Sequence, residues 1–249
     1  MSEGARQMPN PFIRKLDGFE KIQDVDRDWL KSLTRTAIEV EANQDLIREG
    51  DNPEIVHLVM EGLAVRYKWT FEGRRHIFAY MIPGDFCDLH VALLRRMDHS
   101  IRTVTPCRVV KLLPATIIEM TDRRPSLARA LWMCSLVDEA TLREWLVNIG
   151  QRSASQRIAH LFCELHMRME AVGLTANGSF ELPLTQEEIA DTMGLSNVHV
   201  NRSLKDLRQA NLVTLRNETI AIPDVEKLKD YSSFDPSYLH IERTRSSCL

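Results

Sequence analysis

No apolar run in this chain approaches the ~18 residues that a membrane span needs. Met1 to Asn10 is polar and lacks the apolar stretch of a secretory signal, so a cytoplasmic protein is expected. The five cysteines, Cys87, Cys107, Cys134, Cys163 and Cys248, are odd in number, widely spaced and form no CxxC pair. That excludes a disulfide framework and fits reduced, buried thiols. GxSxG, the P-loop, HExxH and a GxGxxG ahead of a helix are all missing, which argues against an enzyme. Asp138-Glu139 and Glu187-Glu188 are acidic pairs, but adjacent helical residues point different ways and read as solvated charge. Positive charge is not in excess either: the net charge is −3, which argues neither for nor against a nucleic-acid partner.

What is present is an ordinary globular composition, 44% hydrophobic and 27% charged, over 249 residues. One large or two small domains are expected at this length. In the first forty residues Leu16, Phe19, Ile22, Trp29, Leu30 and Leu33 suggest short helices, with Asp24 or Asp26 as a cap. From about Gln44 to Leu113, short apolar runs alternate with the turns Gly50-Asp51-Asn52-Pro53, Glu61-Gly62, Glu72-Gly73 and Pro83-Gly84-Asp85. The runs Ile55–Met60, Ala64–Phe71, Arg75–Met81 and Thr103–Leu112 read as strands of a β-roll, barrel or sandwich.

After Pro125 the pattern turns helical. Pro125 to Ile149 has no internal Gly or Pro before Gly150 marks a break, and Leu131, Leu136, Leu142, Trp145 and Ile149 lie along its apolar face. A helix of this length can connect domains and pair with a second copy of itself, or serve as an ordinary core helix. Ser155 to Val172 reads as a further amphipathic helix, and Gly173 to Gly178 as a loop.

The segment ELPLTQEEIADTMGLSNVHVNRSLKDLRQANLVTLRNETIAI, residues 181–222, is the most informative. Thr185 and Glu188 have capping-box spacing, Ala190 is small enough for a close helix crossing, and Gly194 supplies a tight turn. Ser196 then caps a second helix whose Val200, Leu204 and Leu207 form a buried stripe. Its other face carries Asn197, His199, Asn201, Arg202 and Lys205, side chains that hydrogen-bond base edges or phosphates. Between Asn197 and Arg208 there is no aromatic anchor of the kind a protein interface favours. Val213–Leu215 and Thr219–Ile222 read as a hairpin with Arg216 at its tip, within reach of a phosphate or simply exposed.

The stretch LTQEEIADTMGLSNVHVNRSLKDLRQANLV resembles the helix-turn-helix of the Crp/Fnr family of bacterial transcription regulators. LIREGDNPEIVHLVMEGLAVRY, FEGRRHIFAYMIPGDFCDL and TVTPCRVVKL resemble its sensor domain, and the resemblance covers roughly residues 40 to 225. It implies an α+β fold: a double-stranded β-helix (jelly-roll-like) sensor over 1–120, a dimerisation helix over 121–151, a winged helix-turn-helix over 152–235 and a mobile tail over 236–249. It also implies a homodimer on a palindromic promoter, with half-sites about one helical turn apart, and RNA polymerase as a further partner. On the family's pattern Thr185 and Ser196 hold phosphates, and Asn197, Val198, His199 and Arg202 read or flank bases; the exposed face adds Asn201 as a base reader, and Lys205 and Arg216 are expected on phosphates. Many members carry an acid where Val198 stands; valine can only pack against a group such as a thymine methyl.

The effector pocket departs further. Cyclic-nucleotide binders of the family follow the Pro-Gly-Asp-Phe turn with Gly-Glu and a later Arg-Ser or Arg-Thr. Here Asp85-Phe86 runs into Cys87-Asp88, the arginine position falls in Met97-Asp98-His99, and Arg102 lies past it. A regulator whose effector is unidentified is therefore expected, not one driven by cyclic AMP. A cyclic-nucleotide-responsive regulator, a constitutive binder and a protein-binding C-terminal hairpin are the alternatives. No iron–sulfur cluster or other cofactor is expected, since the first cysteine is Cys87 and His57, His76 and His90 read as surface or core residues. His160, Cys163 and His166 in HxxCxxH fan apart on a helix and do not converge on a metal.

Overall fold

A computed structural model describes residues 10–89 and 96–241. The polar start at residues 1–9, His90 and the end of the tail with Cys248 lie outside the described residues.

Helix α1 (Pro11–Asp17) is capped by Asn10, whose side chain accepts from the Phe12 and Ile13 amides. Helix α2 (Asp24–Thr34) follows. Asp24 and Asp26 sit inside its first turn and are not its cap, which is Gln23. Asp26 is buried and accepts from Arg124 at 2.6 Å and from Ser126 Oγ at 2.9 Å, so it fastens α2 to a later helix.

Strands β1 (Ile38–Val40), β2 (Asp45–Ile47), β3 (Val56–Glu61), β4 (Ala64–Trp69), β5 (Arg75–Met81), β6 (Ser100–Thr103) and β7 (Cys107–Leu112) make a β-roll. They form two antiparallel sheets in the orders β1-β7-β3 and β2-β6-β4-β5. The single strand expected over Thr103–Leu112 is two, β6 and β7, in different sheets. Pro106, which has no N–H for a ladder, lies in the turn between them. The Pro83-Gly84-Asp85 turn presses on α1. Gly84 has φ +97°, and a Cβ there would fall 2.8 Å from the Pro11 carbonyl oxygen, so only glycine fits.

Helix α3 (Pro114–Arg123) leads into α4 (Pro125–Gln151). The helix continues through Gly150, where a break was expected. An exposed helical glycine costs only about 1 kcal/mol, and no atom lies within 4 Å of where its Cβ would be. The break comes instead at Arg152, because Ser153 and Gln156 form a capping box that starts α5 (Ala154–Ala171).

The C-terminal half adds β8 (Ser179–Glu181), α6 (Gln186–Met193), α7 (Asn197–Gln209), β9 (Thr214–Arg216), β10 (Thr219–Ala221), α8 (Val225–Ser232) and a 3-10 turn at Pro236–Leu239. The sheet order β8-β10-β9 makes the wing three-stranded; β8 carried no sequence signal. The start of the expected mobile tail is packed: Leu239 is buried, and the Tyr238 hydroxyl donates to Glu164 at 2.9 Å, beside buried Phe234 just ahead of the tail.

The β4–β5 hairpin is buried on both faces. Ala64 and Met81 join the core of the roll with Phe12, Leu16, Leu127 and Leu131. Val65, Tyr67, Ile77, Tyr80 and Ile82 join a second core with α5, α6 and α7. Alternation along a strand, with a register shift at Phe78 that brings Ile77 to the Tyr80 side, lets one ribbon serve two cores, and here it fuses the roll to the C-terminal half.

Candidate nucleic-acid interface and sensor cavity

Local rules build the helix pair. The Thr185 hydroxyl accepts from the Glu188 amide while the Glu188 carboxylate accepts from the Thr185 amide, which starts α6. Gly194 ends α6 in the left-handed region, at φ 62° and ψ 39°. Ser196 then caps α7 by accepting from the His199 amide. Val200, Leu204 and Leu207 are buried as predicted, with Ser203 beside them.

The structure brings the predicted base-reading residues together on one outward face. Asn197, Val198, His199, Asn201, Arg202 and Lys205 are all exposed, and Val198 is 76% exposed. Ser196 Oγ lies 3.0 Å from His199 Nδ1, which orients the ring. Asn201 Nδ2 donates to Gln186 Oε1 at 3.3 Å, so Gln186 at the start of α6 braces the face. Sequence reasoning missed Gln186; its place one residue past the Thr185 cap was the available signal. Thr185 and Ser196 are exposed at helix N-termini, where amides and the dipole favour a phosphate. Arg216 is exposed beside the two-residue turn Asn217-Glu218, whose positive φ values of 47° and 63° suit a tight hairpin.

The residues predicted along the pairing face of α4 divide. Leu136 and Leu142 are exposed, and Ile149 is half-buried. Leu131 packs in the core of the roll and Trp145 donates its Nε1 hydrogen to buried Glu164 at 2.8 Å, so both are consumed by the chain's own core. The free stripe is instead Trp132, Leu136, Leu142, Leu146 and Val147, with Trp132 69% and Leu146 73% exposed. The alternating three- and four-residue steps from Trp132 through Leu136, Glu139, Arg143 and Leu146 were the missed signal.

Where the hairpin meets the C-terminal half, charges interlock. Arg75 Nε donates to Asp191 at 2.7 Å. The Tyr80 hydroxyl lies 2.5 Å from Thr192 Oγ1. Arg168 on α5 donates to the Tyr80 carbonyl at 2.7 Å, to Asp85 at 2.8 Å and to Glu164 at 3.1 Å. Lys15 reaches Asp85 from α1. Burial pushes the Asp85 pKa up, but the Lys15 ammonium and the Arg168 guanidinium outweigh it and hold the carboxyl below its ordinary range. Glu164 goes the other way: burial raises it by more than Arg168, Trp145 and Tyr238 lower it.

A cavity of about 450 Å³ lies against this junction. Arg66, Phe78 and Tyr80 line it from the roll, Asp138 and Leu142 from α4, and Arg168 from α5. Its size suits a small ligand. Of the residues expected to form an effector pocket, Asp85 and Phe86 line it. Cys87 and Asp88 are buried outside the lining, with Asp88 3.4 Å from His99. Arg102 is outside it too: its guanidinium donates to the Asn43 carbonyl, which leaves it ill placed for a cyclic phosphate. Three of the cations that line the cavity are themselves engaged, Arg66 by Asp138, Lys15 by Asp85 and Arg168 by Asp85 and Glu164.

Cys87, Cys107, Cys134 and Cys163 are buried, and burial pushes each thiol up, to about 11 for Cys134 and about 12 for Cys163. The HxxCxxH side chains diverge. His160 packs on Phe234 and Tyr238, His166 meets the edge of Phe180, and Cys163 faces Ser232. Among the described residues no helix is long and apolar enough to cross a membrane.

Residues 156–231 match the family model of the Crp-like helix-turn-helix domain, and residues 37–124 that of the cyclic nucleotide-binding domain. The chain is 26% identical over 209 residues to a probable transcriptional activator of Rhizobium leguminosarum bv. viciae, covering 82% of this chain and 85% of the relative. It is 26% identical over 199 residues to the transcriptional activator protein FnrL of Cereibacter sphaeroides, covering 78% and 79%. Its fold is similar to that of FixK2 from Bradyrhizobium japonicum, with a TM-score of 0.68, 21% identity and coverage of 79% of this chain and 96% of that one. It is also similar to a CRP-family transcriptional regulator from Thermus thermophilus, at 0.62, 18%, 79% and 96%.

Proposed function

The chain belongs to the Crp/Fnr family of DNA-binding transcription regulators, and from there we propose that it binds a palindromic promoter site as a homodimer. The outward face of α7 carries the reading, because six exposed side chains there contribute nothing to the chain's own core. Arg202 takes a guanine bidentately, Asn197 or Asn201 an adenine, and His199 a base edge or phosphate. Thr185, Ser196, Lys205 and Arg216 hold the backbone. The apolar stripe of α4 supplies the symmetric contact, and the two-fold axis it creates repeats the half-site.

The effector is a small molecule seated in the cavity between the roll and α4, and the displaced Arg102 speaks against cyclic AMP as that molecule. A cyclic-nucleotide-responsive regulator is the second reading, favoured by the domain match at residues 37–124. We take 1–120 as the sensor unit, 121–151 as the pairing helix, and the rest through the terminal 3-10 turn as the DNA-binding unit. The site of action is the cytoplasm, with RNA polymerase as the further partner.

The test is selection of bound sequences from random duplex DNA, with and without cyclic AMP. A palindrome recovered in both conditions is the expected result. Recovery only with the nucleotide favours the second reading, and no enrichment in either condition overturns the proposal.

A further inference from the structure

We infer that Val198 reads the C5-methyl group of a thymine, so that each half-site carries a T·A pair at one fixed position. The inference deepens the reading of α7 as the recognition helix and rests on it. Val198 is the second residue of α7. Its side chain is 76% exposed, so its own fold gains almost nothing from an apolar group there.

Its neighbours on α7 along the exposed face are polar. Asn197 and His199 flank it, and Asn201 and Arg202 stand one turn further along the same face. Recognition helices enter the major groove by their N-terminal residues. Helical Cα–Cβ bonds tilt toward the N-terminus, so a second-position side chain leads the helix into the groove.

In that groove the thymine methyl is the apolar group that base edges display. Valine has no donor or acceptor. Set against cytosine, it would desolvate the N4 amino group and pair it with nothing; set against thymine, it buries a methyl instead. Its branched side chain has nearly one rotamer on a helix, so little freedom is lost on contact. Arg202 lies four residues on, about 6 Å along the axis. With ~3.4 Å between bases on one strand, the thymine falls within about two base steps of the guanine that Arg202 takes.

Removing one methyl contact should weaken binding roughly fourfold per half-site, and roughly fifteenfold when both symmetric positions are changed. The experiment begins with the palindrome recovered by selection. Each thymine pair is replaced symmetrically by deoxyuridine, which pairs alike but lacks the methyl, and affinity is read by fluorescence anisotropy for the wild type, Val198→Ala and Val198→Glu. The expected result is one position where the wild type loses affinity and Val198→Ala loses clearly less. Val198→Glu should prefer C·G at that same position, because a carboxylate accepts from cytosine N4. An alanine variant as methyl-sensitive as the wild type overturns the inference, as does a wild type indifferent to every replacement. An unchanged thermal unfolding midpoint verifies that each variant is folded. If no site can be selected at all, the recognition-helix reading fails first, and this inference with it.

Discussion

The hydroxyl of Tyr80, in the sensor sheet, lies 2.5 Å from Thr192 Oγ1, in the first helix of the DNA-binding pair. Both side chains are buried, so the contact is a fixed point between the two units. Thr192 also donates to the Glu188 carbonyl, which keeps its own helix satisfied if Tyr80 is lost. Tyr80→Phe should therefore cost only about 1 kcal/mol, the net worth of one hydrogen bond. Adding Arg75→Ala, which removes the partner of Asp191, should open the junction and speed proteolysis around Arg152. Unchanged cleavage in the double variant would show that the apolar contacts alone hold the units together.

The division of α4 into used and free residues has a direct test. Trp132→Ala with Leu146→Glu should yield a monomer in sedimentation, with the thermal midpoint of the separate chain little changed. Leu131→Ala empties a core position and should cost about 2–5 kcal/mol. A dimer that survives the first pair of changes would place the two-fold contact elsewhere.

Base readers and phosphate holders should separate by salt. Arg202→Ala is expected to abolish preference for the selected site while the dimer persists, at a cost of about 1–3 kcal/mol per half-site. Lys205→Ala should weaken all duplexes alike and lower the slope of log affinity against log salt by about 1 per half-site. Titrations of both variants at several salt concentrations decide it; sequence preference intact in Arg202→Ala removes that residue from base reading.

Burial lowers three histidines, His57, His160 and His166, and the first two set most of a pH dependence. Burial, with Lys111 nearby, lowers His57 to about 4; burial, with Arg152 nearby, lowers His160 to about 3. Free histidine titrates near ~6.5, so below that pH the unfolded chain takes up protons that the folded chain refuses. Stability must then fall as pH drops from about 6.5 toward 4, with His160 extending the decline to about 3. The midpoint of thermal unfolding should decrease by on the order of 10 °C between pH 7 and 5. His57→Asn with His160→Gln should flatten that dependence, and a curve as steep as that of the wild type would rule out these two groups as its source.

The helix-turn-helix was legible because its signals are local. Caps at Thr185 and Ser196, a left-handed glycine at 194 and the stripe of Val200, Leu204 and Leu207 each fix a few neighbouring residues. The turns of the roll were legible for the same reason. The use of α4 was harder to read, because Trp145 and Leu146 are equally apolar in sequence and only the packing of α5 decides which one is covered. The tail misled because its polar average hides Tyr238 and Leu239, and the partners of Tyr238, Glu164 and His160, lie more than seventy residues upstream on α5. The cavity between the roll and α4 takes its walls from helices and strands far apart in the chain, and no spacing rule joins Arg66 to Asp138 or Asp85 to Arg168.

The hairpin with two buried faces limits how the chain can be cut or recombined. Strand β5 is the edge of its sheet, and α6 covers it. Cleaving the protein after α4 would leave Val65, Tyr67, Ile77, Tyr80 and Ile82 facing water beside an open strand edge, the setting in which sheets join edge to edge. The sensor on its own should therefore be sticky and poorly soluble. A chimera carrying a relative's DNA-binding half would need that relative's β4–β5 hairpin too, so the heritable unit of exchange crosses the boundary between the two halves.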